Sequence, residues 1–213
     1  MKKTLYSLML SDDVVREIDQ LAHQQGTNRS ALVNQILAEY VDMTTPESSI
    51  GEIFRQIGEI LDSDRALVPC VTPNAMTMSM KSSLQYRYRP TVKYSVELYR
   101  DRRDAWGELS VVIRTQSESL RRAMSDFFHL WKRVEDDLIA PYLPIYTVYS
   151  SRFTRTIAML ENRSYSTAEI ASAISAYVRL YDRLMKGYLG GSMPIAQVRK
   201  EYVQYLQDGN III

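Results

Sequence analysis

Two groups of side chains in this 213-residue chain have the type and spacing to hold an anion. The first is Asn28-Arg29-Ser30, a polar cap, a guanidinium and a hydroxyl at the start of a helical pattern. Unpaired backbone N–H groups and the helix dipole favour a phosphate at such a place. The second lies between Lys81 and Arg103, where seven basic residues face Glu97 and Asp101, a net of +5. Lys81, Arg87, Arg89 and Lys93 hold odd positions, so on an extended chain they share one face while Tyr86, Tyr88 and Tyr94 share the other. Bases and aromatics on opposite faces cannot stack a nucleobase and hold its phosphate on one flat surface. This strip therefore reads as a solvated sheet face or as a set of auxiliary backbone contacts.

Other chemistries lack their parts. The chain has no phosphate-cradling Gly loop, no nucleophile elbow and no Cys–His pair in a recognisable context, so no catalytic residue is expected. His23 and His129 have no His or Cys three or four residues away, and neither a metal nor another cofactor is expected. Glu135-Asp136-Asp137 reads as a solvated run near a helix end, since adjacent helical residues do not share a face. Cys70 is alone, which suits a reducing cytoplasm. No apolar run reaches bilayer length and the chain opens on charge instead of a secretory signal, so no membrane partner is expected.

The first anion-holding group sits in a segment too small to enclose a core. Residues 3–10 alternate, with Tyr6, Leu8 and Leu10 on one face and Lys3, Leu5, Ser7 and Met9 on the other. Ser11 stands at an N-cap position, and Val14, Val15, Ile18, Leu21 and Ala22 then follow helical spacing to a stop at Gly26. Asn28 caps a second helix striped by Ala31, Leu32, Ile36, Leu37 and Tyr40. One strand face and two stripes cannot close on each other in a single copy. Two copies, with paired strands and four packed helices, can.

This order of strand, capped helix, Gly turn, polar cap, Arg29-Ser30 and helix resembles the ribbon-helix-helix (Arc/MetJ-type) DNA-binding family, over about a fifth of the chain. The resemblance implies an intertwined homodimer whose antiparallel ribbon enters the major groove of double-stranded DNA. Leu5, Ser7 and Met9 would then face base edges, while Lys2, Lys3, Asn28, Arg29 and Ser30 would meet the backbone. Leu5 and Met9 can touch only apolar features such as a thymine methyl. Residues 1–45 carry four basic residues against six acidic ones, a net of −2, so phosphate affinity from this module should be modest and salt-sensitive. Lys81, Arg87, Arg89 and Lys93 would add the charge it lacks.

A join falls at residues 44–48, and a helix begins near Ser49 with Ile50, Ile53, Phe54, Ile57, Ile60 and Leu61, leading from one domain to the other. Pro69, Cys70, Pro73 and Asn74 mark a loop. From Met76 to Leu98 the even positions are mostly apolar without a change of parity, which requires one long strand bent at Pro90 or two strands joined by an odd-length loop. Residues 107–115 form the return strand of a sheet of two or three strands. Four helices follow: 117–139 with Ser117 as cap, one through Ile145–Leu160, one opened by the capping box Ser166–Glu169 and ended at Gly190-Gly191, and one from Pro194 to Gly209. Their tyrosine-rich stripes suit ordinary packing faces, with hydroxyls better placed in a pocket or interface than in a dry core.

The expected fold is mainly α with a small antiparallel sheet: a ribbon-helix-helix dimerisation module at 1–45 and an α+β domain at 46–213. The expected function is a sequence-specific DNA-binding regulator, a repressor acting as a dimer or higher homo-oligomer, with an unknown ligand or protein at the C-terminal domain. Plasmid partition, relaxosome assembly or antitoxin function would use the same module, and a dimeric scaffold without DNA binding is the reading from a different class.

Overall fold

The structure is a computed structural model that describes residues 4–62, 66–70, 76–86, 88–100, 105–142, 144–158 and 164–209. Residues 4–11 carry no helix or strand. Helix α1 (Asp12–Gln24) begins after Ser11, whose side chain makes no capping bond, and ends at Gly26. There the Thr27 amide donates to the Ala22 carbonyl at 2.9 Å and the Gly26 amide to that of His23 at 3.2 Å. This closure needs a left-handed residue, and Gly26 supplies it with φ 62°. Helix α2 (Arg29–Tyr40) follows at once and packs on α1 through Ala22 and Leu32.

Thr45 starts the next element. Its hydroxyl accepts from the Ser48 amide at 3.1 Å, and Pro46 occupies the first helical position of α3 (Pro46–Asp62), where its missing N–H costs nothing. The helix thus begins three residues before the expected Ser49. Nor is it a bare connector, because Ile50, Ile53, Ile57 and Leu61 are fully enclosed in the main core. Burying each contributes roughly 1.5–3 kcal/mol.

A single antiparallel sheet, wider than the expected two or three strands, forms the other half of that core. It comprises β1 (Val68–Cys70), β2 (Thr77–Ser83), β3 (Thr91–Leu98), β4 (Gly107–Ile113), β5 (Tyr146–Tyr149) and β6 (Arg152–Ile157), in the order β1-β2-β3-β4-β6-β5. Part of the segment read as a loop is β1, an edge strand in which Pro69 is admissible because an edge leaves backbone groups unpaired. The β2–β3 connection preserves parity, Ser83 pairing with Thr91 and the Leu84 amide donating to the Pro90 carbonyl, as an odd-length loop must. At its tip Tyr88 and Arg89 both adopt left-handed φ, 64° and 42°, a conformation that non-glycine residues enter at a cost. Gly107 opens β4 where an added Cβ would lie 2.0 Å from the Glu97 carbonyl oxygen, so no larger residue fits.

The expected helix through Ile145–Leu160 is instead the β5–β6 hairpin; Leu160 itself lies outside the described residues. Thr147, Val148, Thr154, Thr156 and Ile157 are β-branched and resist helical crowding, and the exposed ladder of β4 gives β6 a template. Helices α4 (Glu118–Ile139), α5 (Thr167–Leu189) and α6 (Ile195–Gln207) form where the spacing predicts them, with the Ser117 cap and the Ser166–Glu169 capping box in place. They cover one face of the sheet: Phe128 meets Phe153, and Tyr181 meets Tyr94 edge-on. The described residues are 55% helix and 19% strand, an α+β mix.

The tyrosine stripes are packed core: the hydroxyls of Tyr94, Tyr177 and Tyr202 bond inward instead of lining a pocket, and that of the buried Tyr181 has no hydrogen-bond partner among the described residues. Tyr94 donates to Asp182 at 2.9 Å, and Tyr177 and Tyr202 both donate to Glu135 Oε1, at 2.7 and 2.9 Å. Glu135 is therefore not part of a solvated run. It is fully enclosed and lies 2.9 Å from Nε of Arg155, itself 1% exposed, whose guanidinium sits over the Tyr177 ring. Only Asp136 and Asp137 of that run face solvent, paired with Lys132 and Arg199. Burial first, then the Glu135 charge, raises the Tyr202 hydroxyl far above its ordinary value. With every member of the cluster enclosed, it joins β6 to α4, α5 and α6 and is not positioned to meet a solute.

Candidate nucleic-acid interface

The N-terminal candidates are displayed to solvent. Leu5 is 96% and Met9 102% exposed, Ser7 lies between them, and Leu8 on the opposite expected face is 62% exposed. A strand exists only through its ladder, and residues 4–10 pair with no strand among the described residues. Lys2 and Lys3 lie outside the described residues.

The helices behind this segment are half covered. Ala22 and Leu32 are buried between them, while Val14, Leu21, Ile36, Leu37 and Tyr40 from the same stripes stay open. Of the eighteen exposed large apolar side chains in the described residues, twelve fall between Leu5 and Met43. The remaining six are scattered over a region four times longer, so the bias belongs to this segment.

The Asn28 side chain accepts from the Ala31 amide at 3.0 Å and caps α2 as expected. The amides of Arg29 and Ser30, in the first turn, have no partner within the helix and point outward along its axis. The Arg29 guanidinium is already engaged: its Nε donates to Asp19 Oδ1 at 2.7 Å, and Nη2 pairs with Oδ2. That fork lowers the Asp19 pKa and raises that of Arg29. A phosphate at this helix start meets two free amides directly, but must compete with Asp19 for the arginine.

On the sheet, Lys81 and Lys93 stand directly opposite each other on the face turned away from the helices, and both are exposed. Arg89 is exposed in the β2–β3 turn, and Arg87 lies outside the described residues. The register carries the row on from Lys93 through Val112 to Arg152. Reading 145–160 as a helix hid Arg152; the alternation Phe153, Arg155, Ile157 against Arg152, Thr154, Thr156 was the signal for a strand.

Beside this row runs one of small hydroxyls, Ser79, Ser95, Ser110, Thr154 and Thr147, each opposite the next. Ser79 and Ser95 bond at 3.1 Å, and Arg152 Nε donates to Ser110 at 3.3 Å. Beyond it stand Glu97 and Glu108, paired across β3 and β4. Partial burial raises the Glu108 pKa, with Arg152 opposing and Glu97 adding to the shift. The outer face is thus basic toward the β2–β3 turn and acidic toward the other end. Comparison with protein-family models, with curated proteins and with solved structures finds no match to this chain.

Proposed function

We propose that the protein is a DNA-binding regulator that dimerises through its first 45 residues, pairing residues 3–10 of two chains into a ribbon that enters the major groove. The observation that carries this reading is the crowding of exposed apolar side chains between Leu5 and Met43. A surface so apolar on two short helices and a flanking segment calls for a cover, and a second copy supplies identical stripes in antiparallel register. Pairing would bury the Tyr6, Leu8 and Leu10 face against the helices and leave Leu5, Ser7 and Met9 outward, with the α2 amides of Arg29 and Ser30 beside the phosphates. The domain from 46 onward would add higher association or hold an effector.

The Arg29–Asp19 fork and the net charge of −2 favour one competing reading, a dimeric scaffold that does not touch DNA. Selection and sequencing from random duplexes at low salt, together with sedimentation of the free protein, separates the two. Enrichment of palindromic or repeated motifs by a dimer supports the regulator. A tight dimer with no enrichment overturns it.

A further inference from the structure

Cations outside any close ion pair collect at one end of the sheet, Arg152 among them meeting Glu108 only at longer range. Lys81, Arg89, Lys93, Arg114, Arg121 and Arg152 have no carboxylate within ion-pair reach among the described residues. Most other described basic residues, from Arg16 to Arg199, are paired, and only Arg133 and Lys200 are left over elsewhere.

The topology explains the gathering. The β2–β3 turn, the end of β4, the start of α4 and the β5–β6 turn all lie at this end, since Val92 pairs with Ile113 and the Ile113 amide donates to the Ser151 carbonyl. Arg114 and Arg121 line one open cleft there with Thr115, Gln116 and Ser151, of about 740 Å³. The described residues of segments 81–93, 112–122 and 149–153, which build this end, include seven basic residues and a single acid, Glu118, which Arg122 already occupies. Lys81 directly opposite Lys93 is an arrangement that destabilises a sheet by itself. Like charges held together at a cost in stability are what a polyanion site needs.

We propose that this end of the sheet is a second docking surface for duplex DNA, with Arg114 and Arg121 in the cleft and Lys81, Lys93 and Arg152 on the sheet taking successive backbone phosphates. Charge complementarity selects the partner, and a contact made through backbone phosphates is independent of sequence. The inference shares with the regulator reading only the identity of the ligand. It would supply the counterion-release term that the acidic N-terminal segment lacks.

The test is equilibrium binding of the full-length protein to a random-sequence duplex across a salt series. Arg114→Glu with Arg121→Glu is compared with Arg133→Glu with Lys200→Glu, which makes the same charge change on exposed residues away from this end. The cleft pair should lose about tenfold or more in affinity and flatten the salt dependence by about 0.9 per phosphate contact removed. The control pair should stay within about twofold of the parent, because it touches no phosphate. Equal losses in the two pairs, or no binding by the parent protein at low salt, overturn the proposal. So does a loss confined to phosphatidylserine vesicles, which would assign the surface to a lipid headgroup layer.

The two readings fail separately. If the ribbon is wrong and this surface right, Ser7→Ala with Arg29→Ala leaves random-duplex binding untouched while the cleft pair still loses about tenfold or more. If the ribbon is right and this surface wrong, selected motifs survive in the cleft pair at unchanged affinity.

Discussion

Helices α2 and α3 carry apolar stripes of similar spacing, yet one encloses Ile50, Ile53, Ile57 and Leu61 completely and the other leaves Ile36, Leu37 and Tyr40 in the open. The ion pairs of the two regions differ in the same way. Arg155–Glu135 is sealed among tyrosines, whereas Arg29–Asp19 lies at the surface with both side chains about half exposed. An amphipathic pattern states that a face needs a partner. It does not state whether the partner is in the same chain. Within 46–209 the sheet and helices answer from the chain itself, and in the first 45 residues the proposed answer is a second copy.

The largest expected effect tests that answer. Leu8→Asp would put an unpaired charge into the shared core and should abolish the dimer in sedimentation while leaving the melting of the α+β body unchanged. A folded dimer of this variant would show that the strand register is wrong. Next is the buried pair: Glu135→Leu strands the Arg155 charge and should cost about 3–5 kcal/mol in denaturant unfolding, much of it recovered by adding Arg155→Met. Breaking the exposed pair with Asp19→Ala should hardly move the melt, and equal effects in the two would erase the distinction drawn between the regions.

Gly107→Ala drives a methyl into the Glu97 carbonyl and should cost roughly 1–3 kcal/mol through displacement of the β3–β4 ladder. Ser7→Ala and Arg29→Ala should each weaken binding to a selected duplex several-fold without loss of the dimer, as measured by anisotropy. The smallest effect concerns Glu108. Its pKa is raised in the folded state, so its contribution is fully present below the unfolded value and is lost as pH rises through the folded one. Glu108→Gln should therefore gain a few tenths of a kcal/mol at neutral pH, after allowance for solvent screening, and nothing in acid.

Much of the helical part was legible because its signals are local. Asn28, Ser117, Ser166–Glu169 and Gly26 each mark a boundary through a bond made within a few residues. The odd-length β2–β3 loop was legible from parity alone. What escaped depended on distant neighbours. Residues 146–157 could show their strand character fully only beside β4, and Glu135 looks like its acidic neighbours until Arg155 is brought against it from β6. Of the candidate contacts, Lys81 and Lys93 were readable as one face, whereas Arg152 joins them only through the ladder and Arg114 and Arg121 only through the packing of α4 at the end of β4.

The short first strand has a consequence for how copies can meet. Three residues with Pro69 at the centre present an interrupted row of backbone donors, a poor template for another chain to add to that border as a ribbon. Lateral growth into fibrils is blunted on that side at the level of the main chain. Assembly is thereby steered away from that flank.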